Sequence, residues 1–248
     1  MNTYIELNRK NIIHNYRAFK KMLPVKIKII CVVKSNAYGY GLTEIVTILD
    51  SVADMYAVDS VDELKTVRNI SSKPVLIFQQ LPKDEIKLAL KLGCDFSIGS
   101  IDYLGLLNKM AQKVTVKPRV HLEIDATFGR SGLLLEELKK VSPNHYKDII
   151  FDSIYSHYSC STDYSLNKFD TVQDNILKEA ISIFDKMGFN FKHHIASTSS
   201  LLIHGIKKDD YVRIGAGLYG IYPSEYVRKN SKIKDLLPIF RWVTRVSH

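Results

Sequence analysis

The chain has 248 residues, 46% of them hydrophobic, which is enough apolar surface for one large single-core domain. Its net charge of +9 comes from lysines spread along the chain, with no basic cluster interleaved with aromatics, so a nucleic-acid partner is not expected and a solvated, lysine-rich exterior is. No apolar run is long enough to cross a bilayer, the N-terminus lacks a secretory signal pattern, and Cys31, Cys94 and Cys160 are too scattered for a disulfide framework or a metal site, which together predict a cytoplasmic protein with no membrane contact.

Residues 3–7 read as a strand, and Asn8 is placed to cap a helix over 10–22. Short β-branched runs follow at 27–33, 55–58, 75–78, 95–98, 119–124, 151–157, 193–196 and 212–218. Amphipathic patterns between them predict helices over 42–50, 61–69, 83–92, 101–112, 134–141, 168–187 and 199–204. Strands alternating with helices imply parallel βαβ units, and eight of them imply a closed (β/α)8 TIM-like barrel, an α/β fold. An open doubly wound sheet is the alternative, but no Gly-x-Gly-x-x-Gly follows the first barrel strand. After Pro223 the chain turns polar over 225–234, then offers one more apolar piece at 239–246. A single strand has no partner in a finished barrel. The expected division is therefore a barrel over 9–224, with 3–8 and 237–248 belonging to an incomplete C-terminal β domain.

Active sites of such barrels gather where strands end and βα loops begin. Lys34 closes the first barrel strand in Val32-Val33-Lys34-Ser35-Asn36-Ala37-Tyr38-Gly39-Tyr40-Gly41. A lysine at the edge of an apolar core is the type of amine that forms Schiff bases with carbonyl compounds, although a strand-end lysine can simply reach water. Asp125 and Arg130 follow the fifth strand, His157 ends the sixth, Ser197 and Thr198 end the seventh, and Arg213, Gly215 and Ala216 lie on the eighth. A Thr198 hydroxyl and backbone amides around Gly215-Ala216 suit a phosphate monoester, whereas Gly215 and Gly217 alone could merely relieve crowding in a strand. An unpaired arginine is costly to bury, so Arg213 points to function or to a buried pair. His193 and His194 point to opposite faces of their strand, which argues against a paired metal site. Asp125 is placed to brace the loop that presents Arg130.

Segments 34–41 and 212–220, with Ile221-Tyr222-Pro223-Ser224 and the terminal Thr244-Arg245-Val246-Ser247-His248, resemble the bacterial alanine racemases, a family built on pyridoxal phosphate bound to a (β/α)8 barrel. The resemblance runs through essentially the whole chain, with the motifs in the family's order. It implies that Lys34 holds pyridoxal phosphate and acts as one of two catalytic bases. It further implies that Tyr38, Thr198, Gly215 and Ala216 bind the cofactor phosphate, and that Arg213 faces the pyridine nitrogen. His157 would lie near the ring and bond to Arg213, and Arg130 would reach the cofactor's phenolic oxygen and the substrate carboxylate. The implied activity interconverts L- and D-alanine in a homodimer, supplying D-alanine for the cell wall.

This chain departs from the family pattern in places. Glu123 stands where many members carry a carbamylated lysine, so a Glu123–Arg130 pair is expected to replace it. Thr198 replaces a serine, and Ala216 replaces the more frequent isoleucine. The family's second base, a tyrosine of the C-terminal domain delivered across the dimer interface, has no counterpart here. Other readings are a racemase for serine or a broader set of amino acids, a non-catalytic pyridoxal phosphate carrier, and a cofactor-free barrel hydrolase or lyase.

Overall fold

Runs of Ile, Val, Leu and Met that are apolar on both faces can be covered only if one face meets helices and the other meets further strands. The computed structural model, which describes residues 3–163, 167–207 and 209–246, satisfies this with a ring. Its strands in chain order are β1 (Thr3–Leu7), β2 (Lys28–Val32), β3 (Met55–Val58), β4 (Val75–Ile77), β5 (Asp95–Ile98), β6 (Arg119–Glu123), β7 (Ile150–Tyr155), β8 (Lys192–His194), β9 (Tyr211–Ile214) and β10 (Phe240–Thr244). Eight of them form one parallel sheet in the order β8-β7-β6-β5-β4-β3-β2-β9. The ring closes between β8 and β9 through the parallel bridge Ser197–Arg213 and the bonds from Asp210 N to His193 O (2.9 Å) and from Arg213 N to Ala196 O (3.0 Å). The buried Asp209 carboxylate accepts the N–H groups of Ile195 and Ala196 at the same seam.

Caps set several helix starts. Asn8 accepts from Asn11 N at 3.1 Å to begin helix Arg9–Met22, and Ser60 and Ser100 cap Val61–Arg68 and Ile101–Ala111 in the same way, each cap contributing about 1 kcal/mol. The main apolar body lies between ring and helices, with Phe19, Leu64 and Phe184 fully buried. The barrel interior is divided. Towards β2, β3 and β4 it is filled by Ile30, Val32, Met55, Ala57 and Leu76. The opposite half carries buried polar groups: Ser97, His121, Glu123, Tyr155, His194 and Arg213. No helix of the described residues is long and apolar enough to cross a membrane.

The structure changes one expected bound and adds two features. The last barrel strand stops at Ile214 rather than 218, because the chain turns at Gly215 into a 3-10 turn at Ala216–Tyr219. The polar stretch after Pro223 holds a helix, Glu225–Asn230, capped by Ser224. The terminal strand finds its partner outside the barrel, since β10 pairs antiparallel with β1 from Thr3↔Thr244 to Leu7↔Phe240 in a separate sheet. Ser247 and His248, the end of the expected strand, lie outside the described residues.

Candidate active site

Lys34 leaves β2 into a turn expected as a glycine-punctuated loop. The turn is instead left-handed, with φ of 55°, 52°, 52° and 58° at Ser35, Asn36, Ala37 and Tyr38. L-residues resist this region by about 1–2 kcal/mol each, so the surroundings must hold it. Gly39 and Gly41 continue at positive φ without that penalty. Asn36 Oδ1 accepts Leu42 N at 2.8 Å, and Glu63 bridges Asn36 N (2.9 Å) and Asp59 N (3.0 Å). Ala37 is fully buried, and Tyr38 and Tyr40 pack on Tyr219, whose hydroxyl donates to Val32 O at 3.1 Å.

The turn directs Lys34 and Tyr38 into a cavity of about 560 Å³ at the C-terminal ends of the barrel strands. Glu123, Arg130, His157, Thr198, Arg213, Gly215 and Ala216 line the same cavity, so all nine residues singled out in the sequence meet there. Lys34 Nζ forms an ion pair with Asp59 Oδ2 at 2.8 Å. Thr198 begins helix Thr198–His204, and its hydroxyl accepts Gly215 N (3.2 Å) and Gly217 N (3.4 Å). Beside it, a Cβ on residue 215 would stand 2.6 Å from Tyr38 Oη, so the bare glycine lets hydroxyl and backbone share one corner.

Arg213 is buried and points inward from β9. Its Nη2 donates to Ser156 O (2.7 Å) and to His157 Nδ1 (3.2 Å), and its Nη1 donates to His194 Nδ1. Loss of hydration lowers the guanidinium pKa from its ordinary value, yet arginine remains a donor only. His157 is pushed down to about 3, first by burial and then by Arg213, Arg130 and Lys34. His194 is pushed well down by burial and by Arg213. Both imidazoles are therefore neutral acceptors at Nδ1. His194 must then carry its proton on Nε2, where it meets His121 Nδ1 at 3.1 Å, and His121 Nε2 continues to Asp95 Oδ2 at 3.3 Å. A chain of buried polar groups thus runs down the barrel from Arg213. Tyr155 flanks it, stacked on His194 with centroids 4.7 Å apart.

Glu123 ends β6. It accepts Ser131 Oγ at 2.9 Å and Arg130 Nη2 at 3.4 Å. The Arg130 guanidinium lies 4.7 Å from the Phe128 ring centroid, and Phe128 meets His157 edge-on at 5.5 Å. Asp125 Oδ1 accepts Gly129 N at 3.0 Å, which braces this loop. Among the described residues no group of His, Cys, Asp or Glu is placed to hold a metal ion.

Sequence reasoning passed over Asp59, Glu63, Tyr155 and His194. Asp59 directly follows β3, so the rule that located Lys34 would also have found it. Tyr155 precedes His157 by two residues and shares its inward face. Nothing local marks Glu63, which reads as an ordinary first-turn acid.

A parallel (β/α)8 barrel whose C-terminal face collects a lysine, two arginines and a hydroxyl-and-amide corner is a barrel built to bind a small anionic molecule at an amine. The family model for the alanine racemase N-terminal domain matches residues 7–223, and the chain belongs to that family. It is 29% identical over 259 residues to alanine racemase 2 of Caldanaerobacter subterraneus subsp. tengcongensis, covering 98% of this chain and 63% of the relative. Against alanine racemase of Staphylococcus saprophyticus it is 28% identical, covering 98% and 64%. The chain thus spans less than two thirds of the length of these relatives. Its fold matches alanine racemase of Clostridium difficile 630 in complex with cycloserine, with TM-score 0.93, 24% identity and coverage of 100% of this chain and 69% of the other. It also matches the Bacillus anthracis enzyme with bound L-Ala-P, with TM-score 0.88, 24% identity and coverage of 97% and 63%.

Proposed function

We propose that this protein is the barrel part of a pyridoxal-phosphate-dependent racemase that interconverts L- and D-alanine in the cytoplasm, supplies D-alanine for the cell wall and works as a homodimer. The observation that carries the reading is the convergence of Lys34, Tyr38, Thr198, Gly215 and Arg213 on one cavity, in a chain of the alanine racemase family. The residues fit the cofactor. Lys34 offers the amine for its carbonyl carbon, and the Tyr38–Thr198–Gly215–Ala216 corner offers hydroxyls and amides for its phosphate.

Pyridoxal phosphate, when bound, supplies an electron sink for the bond to the substrate's α-hydrogen. Lys34 Nζ serves as the base on its own side of the substrate. Arg213 would face the pyridine nitrogen as a donor that keeps its proton, because a guanidinium is too weak an acid to give it up, and its imidazole neighbours accept from it. By leaving that nitrogen unprotonated, Arg213 would temper the electron sink and so favour racemisation over transamination. Arg130, steadied by Glu123 and Phe128, offers its guanidinium to the substrate carboxylate. The second base and part of the substrate pocket are assigned to a further β domain, to which the β1–β10 ribbon would belong.

The test is colour and covalency. Protein purified with pyridoxal phosphate is expected to be yellow, and borohydride is expected to fix the cofactor on Lys34, as read by peptide mass spectrometry. Colourless protein that takes up no added cofactor would overturn the proposal. A racemase assay on a version carrying the further domain separates an enzyme from a carrier.

A further inference from the structure

We infer that Asp59 is the positioning residue of Lys34, fixing its place and receiving its ammonium proton when the amine engages a carbonyl compound; the last step rests on the function proposed above.

Asp59 Oδ2 lies 2.8 Å from Lys34 Nζ, and the two side chains are only 23% and 34% exposed within the same cavity. Neither end of the pair is free to drift. Asp59 N donates to Glu63 Oε2 at 3.0 Å, while Asn36 N donates to Glu63 Oε1 at 2.9 Å. One carboxylate therefore ties the residue after β3 to the left-handed turn that carries Lys34. That link holds the two backbone segments that carry Lys34 and Asp59 in register, so both side chains start from fixed places.

The other groups around the cavity make Asp59 necessary. Arg130, from the loop after β6, and Arg213, from β9, are cations and disfavour a third. His157, from the end of β7, is neutral. Tyr38, on the turn itself, is held in its neutral form by burial and by Asp59. Glu123 is engaged by Ser131 and Arg130. Asp59 is the anion that Lys34 touches.

An ammonium nitrogen has no lone pair to share. Before Nζ can bond to a carbonyl carbon, one N–H bond must break. Asp59 Oδ2 is in place to form the O–H bond, and the electron pair stays on nitrogen for the attack. When the amine is released, the proton returns along the same contact. No oxidant or further reactant is needed.

The test uses protein free of pyridoxal phosphate. Lys34 is labelled competitively with acetic anhydride from neutral to alkaline pH and read by peptide mass spectrometry, with exposed Lys26 as internal reference. Asp59→Asn is expected to raise Lys34 labelling at neutral pH by about tenfold relative to Lys26, because the amine loses the carboxylate that holds it. Asp59→Glu is expected to restore most of the protection. Unchanged Lys34 labelling in Asp59→Asn, or in Asp59→Ser should the asparagine variant not fold, overturns the inference. A wild-type protein that shows Asp59-dependent labelling but binds no pyridoxal phosphate would instead overturn the proposed function and leave the pair standing.

Discussion

The hydroxyl of Tyr38 occupies the space in which a side chain on Gly215 would begin, since a Cβ there would lie 2.6 Å from Oη. The contact joins the turn after the first barrel strand to the turn after the last. A side chain at 215 would have to displace this hydroxyl, and the backbone there, with φ −112° and ψ −94°, also lies outside the usual helix and strand regions. Gly215→Ala is expected to displace Tyr38 and weaken pyridoxal phosphate binding by about tenfold, or about 1.4 kcal/mol, in an absorbance titration. Unchanged affinity would remove this corner from the phosphate site.

Lys34→Ala separates anchoring from folding. Its ion pair with Asp59 is partly exposed, and such pairs contribute at most about 1 kcal/mol, so urea unfolding is expected to change little. Borohydride treatment with pyridoxal phosphate is expected to leave no fixed adduct at residue 34. An adduct concentrated on another lysine would place the anchor elsewhere.

Glu63→Ala removes the acceptor of two backbone N–H groups, those of Asn36 and Asp59. The left-handed turn loses its clamp, with an expected cost of about 1–3 kcal/mol in global stability and faster amide exchange at residues 35–38. Stability and exchange equal to wild type would show that the tyrosine packing holds the turn alone.

Glu123→Gln keeps the shape of the side chain and removes its charge. Arg130 and Ser131 lose an ionic partner, so the alanine KM of an active form is expected to rise several-fold, while cofactor affinity stays within about twofold because Glu123 does not reach the phosphate corner. If neither cofactor geometry nor substrate affinity changed, the pairing would have no functional part.

Acid should loosen the fold through His157. Its folded pKa of about 3 lies below the ordinary 6.5, so the unfolded chain binds the extra proton first. The stability it contributes is complete above about 6.5 and is lost as pH falls towards 3. His194, also depressed, adds to the loss in the same direction. A His157→Asn variant is expected to show a flatter decline in denaturant midpoint over that range, and a decline as steep as wild type would shift the origin of the acid limb elsewhere.

Much of this was readable in the chain. Alternating β-branched runs and amphipathic segments report a barrel because periodicity is a local property, Lys34 and His157 were found by their places at strand ends, and Arg213 by the cost of burying its charge within a strand. Asn8 was legible as a cap because capping acts over three residues. The close approach of Tyr38 to Gly215 was not legible, because the two residues lie far apart in the chain. The left-handed path of residues 35–38 was not legible either, since propensity disfavours it and Glu63 and Tyr219 hold it from outside.

The sequence by itself determined the barrel, the order of its strands and the face on which Lys34 must emerge, because hydrophobic period and strand-end position are carried by near neighbours. Only the tertiary structure decided that Lys34 meets Asp59, 25 residues away, that His194 meets His121, 73 residues away, and that Thr3 pairs with Thr244. Those partners are chosen by closure of the ring and by which side chains share its interior. The neutral state of His157 and His194 is likewise set by burial beside Arg213 rather than by residue type alone.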